Sequence, residues 1–144
     1  MTLDEIYECW HEDSQVDKSE LGNAALETAK LHHKYYRMFS QERLLLKKLE
    51  SDMKVLKLEK FEHYTEGPTQ ESFDKGWKLP ARGKVLKNAA NEYIDADGDI
   101  IALNLKIAYQ QEKCNVIESI IKVIMNRGYQ IRAAIDWEKF KVGG

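Results

Sequence analysis

The chain has 144 residues, 43% of them hydrophobic and 32% charged, with only two prolines and eight glycines. That length makes one domain or two very small ones, and the apolar content excludes wholesale disorder. Twenty-two Lys and Arg stand against 24 Asp and Glu, a net of −2, which excludes a uniformly basic nucleic-acid coat protein but not a local basic face. Cys9 and Cys114 are far apart and lack metal-ligand spacing, as expected of reduced thiols in a cytosol. No apolar run approaches the roughly 18 residues of a membrane span. The opening MTLDEIYECW is acidic rather than signal-like. The expectation is a soluble, cytoplasmic protein with no membrane association.

Charge is segregated along the chain. Residues 1–29 carry eight acids and one lysine, a net of −7, whereas residues 30–65 carry nine Lys and Arg and five acids, a net of +4. Residues 75–87 add five bases and no acid, and residues 88–144 are nearly balanced. Acidic head, basic long segment and basic loop are therefore three electrostatically different surfaces.

From Ser19, a candidate N-cap, to about Thr65 there is no proline, and good helix formers dominate. Leu31, Tyr35, Met38, Leu45, Leu49, Met53 and Leu56 form one apolar stripe at steps of three and four, interrupted by Glu42. Two forms fit this span: one long rod, or a hairpin broken near Phe39, Ser40 and Gln41. Gly67 and Pro68 end it. Residues 66–84 hold both prolines and three glycines and read as an irregular connector. In residues 85–96, the pairs Val85, Leu86 and Tyr93, Ile94 fit either short strands or helical turns.

Asp97 or Asp99 then caps a run in which Ile100, Leu103, Ile107, Cys114, Ile117, Ile121 and Ile124 fall in heptad steps, with Gln110 the one polar member. Ile101, Leu105, Val116, Ile120 and Val123 form a second apolar face, which calls for neighbours on several sides. Gly128 is placed to stop this helix, and a short terminal helix follows from Tyr129 to about Phe140. The expected fold is all-α. Along the chain, residues 1–65 form an acidic head and basic helical region, 66–96 a connector and 97–144 a helical oligomerisation region. Leu103, Ile107, Ile117, Ile121 and Ile124 are the candidate oligomerisation residues, because self-association buries surplus apolar surface.

No phosphate-binding loop, dinucleotide fingerprint, zinc-protease helix or nucleophile elbow occurs. The run from Asp95 to Asp99 resembles a calcium loop only superficially. Its glycine stands at the fourth place instead of the sixth, and Lys106 takes the place of the twelfth-position glutamate. No catalytic residue, metal site or cofactor is expected.

The pattern that does carry chemistry is basic and aromatic. Lys47, Lys48, Lys54, Lys57 and Lys60 run along the first segment, followed at once by Phe61, His63 and Tyr64. Cations that track phosphates beside rings that stack on bases are what unspecific single-strand binding requires. Lys54, Lys57, Lys60, His63 and Tyr64 are the primary candidates, with Lys47, Lys48, Arg82, Lys84 and Lys87 secondary. The alternative is an oligomeric helical adaptor whose lysines are solvated spokes and whose rings pack the helix end.

The run from Lys54 to Gly67 (KVLKLEKFEHYTEG) resembles the helix-end motif of the UvsY family of T-even phage recombination mediators. Residues Ile117 to Ala134, with the turn Asn126-Arg127-Gly128-Tyr129, resemble that family's C-terminal segment. The resemblance implies a non-enzymatic, homo-oligomeric ring of six or seven subunits that binds single-stranded DNA. It also implies help in loading a RecA-like recombinase onto DNA occupied by single-strand-binding protein. The family places two basic residues one position apart in the motif. Lys60 fits the second, Leu58 stands at the first, and the role is assigned to Lys57 with Lys60.

Overall fold

A computed structural model describes residues 1–143, apart from the side chain of Lys18. Five helices account for the architecture: α1 (Leu3–Asp13), α2 (Leu21–Glu66), α3 (Gln70–Asp74), α4 (Ala90–Asp95) and α5 (Gly98–Lys141), with one 3-10 turn (Lys18–Glu20) before α2. Among the described residues there is no strand, so the fold is all-α. No helix there is long and apolar enough to cross a membrane.

Helix α1 starts on a reciprocal capping box: Glu5 N–H donates to the Thr2 hydroxyl at 3.1 Å, and Thr2 N–H donates to the Glu5 carboxylate at 3.2 Å. Helix α2 is one rod of 46 residues with no break at Phe39 to Gln41. Its entry is prepared by Asp17, which accepts from Ser19 N–H, and Ser19 itself lies inside the 3-10 turn. Helix α5 runs unbroken through Gly128 for 44 residues, so the expected stop and separate terminal helix are one continuous helix.

The chain forms two compact units, one of residues 1–44 with 110–144 and one of residues 45–109. The sequence partition at 65 and 96 is one along the chain; these units are spatial, and both long helices contribute to each.

The core of the first unit is Ile6, Tyr35, Ile117, Ile120, Ile121 and Ile124, with Trp10, Leu31 and Met38 packed against it. Its polar periphery ties the end of α1 to α2 and α5. Tyr35 donates to Asp13 at 2.8 Å, and Arg127 donates to the backbone carbonyls of Asp13 and Gln15. The polar interruptions of the two apolar stripes meet: Gln110 donates to the Glu42 carboxylate at 2.6 Å, and Lys113 pairs with Glu42 at 3.0 Å. Burial pushes the Glu42 carboxyl up, but the Gln110 and Lys113 hydrogen bonds outweigh it and leave the group below its ordinary range.

The second unit packs Met53, Tyr64, Ala90, Ile94 and Ile100, with Leu79, Val85, Tyr93, Leu103 and Ile107 against them. The heptad residues expected to join subunits therefore face inward: Ile117, Ile121 and Ile124 fill the first core, and Leu103 and Ile107 pack on the second. The large apolar side chains that α5 leaves exposed are others, among them Leu105, Met125, Tyr129, Trp137 and Phe140.

Candidate nucleic-acid interface

The C-terminal end of α2 supplies the motif run, and its helical period divides that run between two environments. Lys54, Lys57 and Leu58 face solvent, whereas Lys60, His63 and Tyr64 turn inward at steps of three and four. Lys60 is 2% exposed. Its ammonium sits 2.8 Å from Asp99 and 3.1 Å from Asp97, and 3.7 Å from the centre of the Trp77 ring. A buried ammonium ringed by two carboxylates and an aromatic face is a tertiary lock.

Local sequence builds the lock. Asp97 caps α5, its carboxylate accepting from Asp99 N–H at 2.9 Å and Ile100 N–H at 3.3 Å. The same carboxylate accepts from the Tyr64 hydroxyl at 2.7 Å. Burial raises the Asp97 carboxyl, and the bonds from Tyr64, Lys60 and Ile100 overcome that, so it titrates below its ordinary value. Burial, with the Asp97 bond added, pushes the Tyr64 phenol up.

Trp77 reaches Lys60 because α3 ends in a Schellman motif. Trp77 N–H donates to Ser72 O at 2.9 Å and Gly76 N–H to Phe73 O at 3.0 Å, with Gly76 at φ +71°. His63 donates from Nε2 to the Lys78 carbonyl at 3.0 Å, and its Nδ1 is buried without a partner. At Gly67 a Cβ would collide with the His63 carbonyl, so only glycine fits where α2 gives way to the connector.

Of the primary candidates, Lys60, His63 and Tyr64 are therefore buried, and Lys54 and Lys57 are exposed. The helix-end packing weighed against base stacking is what Tyr64 does here. Asp97 was legible as a cap; its partner Lys60 and the lid Trp77 were not, because both contacts are tertiary.

The remaining candidates lie outside. Lys47 and Lys48 are exposed and make weak pairs along the helix, with Glu50 at 3.7 Å and Asp52 at 3.8 Å. Lys54, Lys57, Lys78, Arg82, Lys84 and Lys87 are exposed and have no ion-pair partner among the described residues. Lys75 is bridged to Glu59 at 2.8 Å. All of these belong to the second unit, and on its surface lie two concavities. One, of about 470 Å³, is lined by Lys57, Leu58, Phe61, Asn91, Ile94 and Asp95. The other, of about 200 Å³, lies between the connector and α4. Acids and bases balance within residues 45–109, so the cationic surface arises from segregation and internal pairing rather than net charge.

The protein is thus all-helical, with a buried lysine fastening its connector to the start of α5 and exposed cations on that connector and on α2. A family model described as "Recombination, repair and ssDNA binding protein UvsY" matches residues 9–144, and the chain belongs to this family. Crystal structures of the bacteriophage T4 recombination mediator protein UvsY share the fold. One, in lattice type II, matches with a TM-score of 0.81 at 20% identity over 99% of this chain and 98% of that one. Another, in lattice type IV, has a TM-score of 0.80 at 18% identity over 98% and 99%. No curated protein matches the chain.

Proposed function

We propose that this protein is a non-enzymatic recombination mediator that binds single-stranded DNA as a homo-oligomeric ring of six or seven subunits. In this reading it works in the cytoplasm of an infected host cell, where it helps load a RecA-like recombinase onto DNA covered by single-strand-binding protein. Family membership supports the role. The observation that carries the DNA-binding part is the set of exposed cations Lys54, Lys57, Lys78, Arg82, Lys84 and Lys87, which have no ion-pair partner among the described residues.

Phosphate contacts by such side chains carry no base information, so binding is indifferent to sequence and sensitive to salt. The apolar side chains that α5 leaves exposed, Leu105, Met125, Trp137 and Phe140 among them, support self-association. A ring multiplies each subunit's cations into one field and converts later contacts into intramolecular ones.

Light scattering with and without an oligonucleotide tests both parts. The expected result is a multiple of the chain mass that gains one or more strands at low salt and loses them at high salt. A monomer that retains no strand at low salt would refute the proposal. The loading step is tested by following recombinase filament growth on strands pre-covered with single-strand-binding protein, which this protein should accelerate.

A further inference from the structure

The smaller concavity of the second unit combines an apolar lining with two cations and no acid. Its floor and walls are Pro80, Val85, Leu86 and Tyr93, and the exposed cations Arg82 and Lys84 are part of its lining. The connector is held in shape there by two backbone bonds. Gly83 N–H donates to Pro80 O at 2.8 Å in a tight turn, with Gly83 at φ +85°, and Val85 N–H donates to Tyr64 O at 2.8 Å. The Tyr93 ring lies 5.9 Å from that of Tyr64, itself fixed by its bond to Asp97. The lock around Lys60 thus sets the position of one wall of this pocket.

We propose that this pocket is a nucleobase subsite: one base of a single strand enters against Tyr93 while Arg82 and Lys84 take the phosphates on either side. The inference rests on the single-strand reading above and adds a base contact to it. A volume of about 200 Å³ lies below the roughly 300–1,000 Å³ of drug-sized ligand sites and suits one planar ring system. An aromatic and aliphatic lining accepts the face of any base, which keeps the subsite tolerant of sequence. Cations beside an apolar slot match a strand, which alternates charge with flat apolar rings. The apolar groove lined by Tyr7, Trp10, Val116 and Val123 in the first unit includes no cation in its lining and offers no such match.

The test uses the full chain and two labelled probes of equal length, oligo-dT and a strand of the same phosphodiester backbone carrying abasic sites, compared by fluorescence anisotropy. Wild type should bind the base-bearing strand about tenfold more tightly, the lower part of the range for one stacked base. Ala89 also lines the pocket, and Ala89→Leu fills it without removing a core contact; it should erase that preference and leave abasic affinity and its salt slope unchanged. Tyr93→Phe keeps the ring and should keep the preference. Equal affinity of wild type for the two probes, or a preference that survives Ala89→Leu, overturns the subsite while leaving phosphate binding intact. Failure to bind either probe at low salt overturns the single-strand reading, and the subsite with it.

Discussion

Two lysines three residues apart on α2 have opposite roles. Lys57 stands in solvent with no ion-pair partner among the described residues, whereas Lys60 is enclosed by Asp97, Asp99 and Trp77. Lys57→Ala should change stability by no more than about 0.5 kcal/mol, as surface substitutions do. Lys60→Ala leaves the buried Asp97 carboxylate without its cation and should cost about 3–5 kcal/mol. Urea unfolding of the two variants reads the difference directly. Acid should act on the same carboxylate. Asp97, Asp13 and Glu42 all titrate below their ordinary values in the folded chain. Their contribution is complete above the unfolded-state values near pH 4 and is lost as pH falls through the lower folded ones. The melting temperature should therefore drop steeply below about pH 4, and Asp97→Asn should lose part of that drop while starting lower at pH 7. A melting temperature flat from pH 6 to pH 3 would contradict this.

The two long helices are legible, because apolar spacing and the absence of proline are local signals, whereas the short helices α1, α3 and α4 lie where the sequence reads only as an acidic head and an irregular connector. Two glycines show where legibility ends. Gly128 read as a stop, but a helical glycine costs only about 1 kcal/mol relative to alanine, and packing on the Ile117–Ile124 and Ile131 side carries α5 through it. A Cβ at Gly128 would meet nothing within 4 Å, so Gly128→Ala should raise stability by about 0.5–1 kcal/mol. Gly67→Ala meets the His63 carbonyl and should lower stability by about 1–3 kcal/mol. Opposite shifts in urea midpoint at the two glycines are the expected outcome. The capping box of α1, Thr2 followed three residues later by Glu5, is a local signal that could have marked this helix, which the sequence reading leaves as an acidic head. The Trp77 lid has no such signal: it depends on a left-handed turn at Gly76 that returns the connector to α2.

For the whole molecule, the charge blocks match the exposed basic loop, and the heptad residues of α5 pack within the chain's own two units. Periodicity identifies a face that must be covered without saying whether the chain or a second copy covers it. Ile117 is fully buried within its own unit, so Ile117→Asp should unfold the chain, since an unpaired charge there has no solvent. Trp137 and Phe140 are exposed and stacked at 5.6 Å. Trp137→Glu with Phe140→Glu should keep the helical circular-dichroism signal and lower the mass seen by light scattering. Retention of the full mass would move assembly to another face, such as that bearing Leu105.

In the proposed function, the exposed cations of the connector and α2, rather than the enclosed Lys60, hold single-stranded DNA. The direct measurement is the slope of log affinity against log salt for Arg82→Ala with Lys84→Ala and Lys87→Ala, beside wild type. Each phosphate contact on a single strand contributes about −0.7 to that slope. Three lost contacts should therefore flatten it by about 2 for each engaged subunit, with the melting temperature and the assembly unchanged. An unaltered slope in this variant, with the assembly intact, would place the phosphate contacts on other residues.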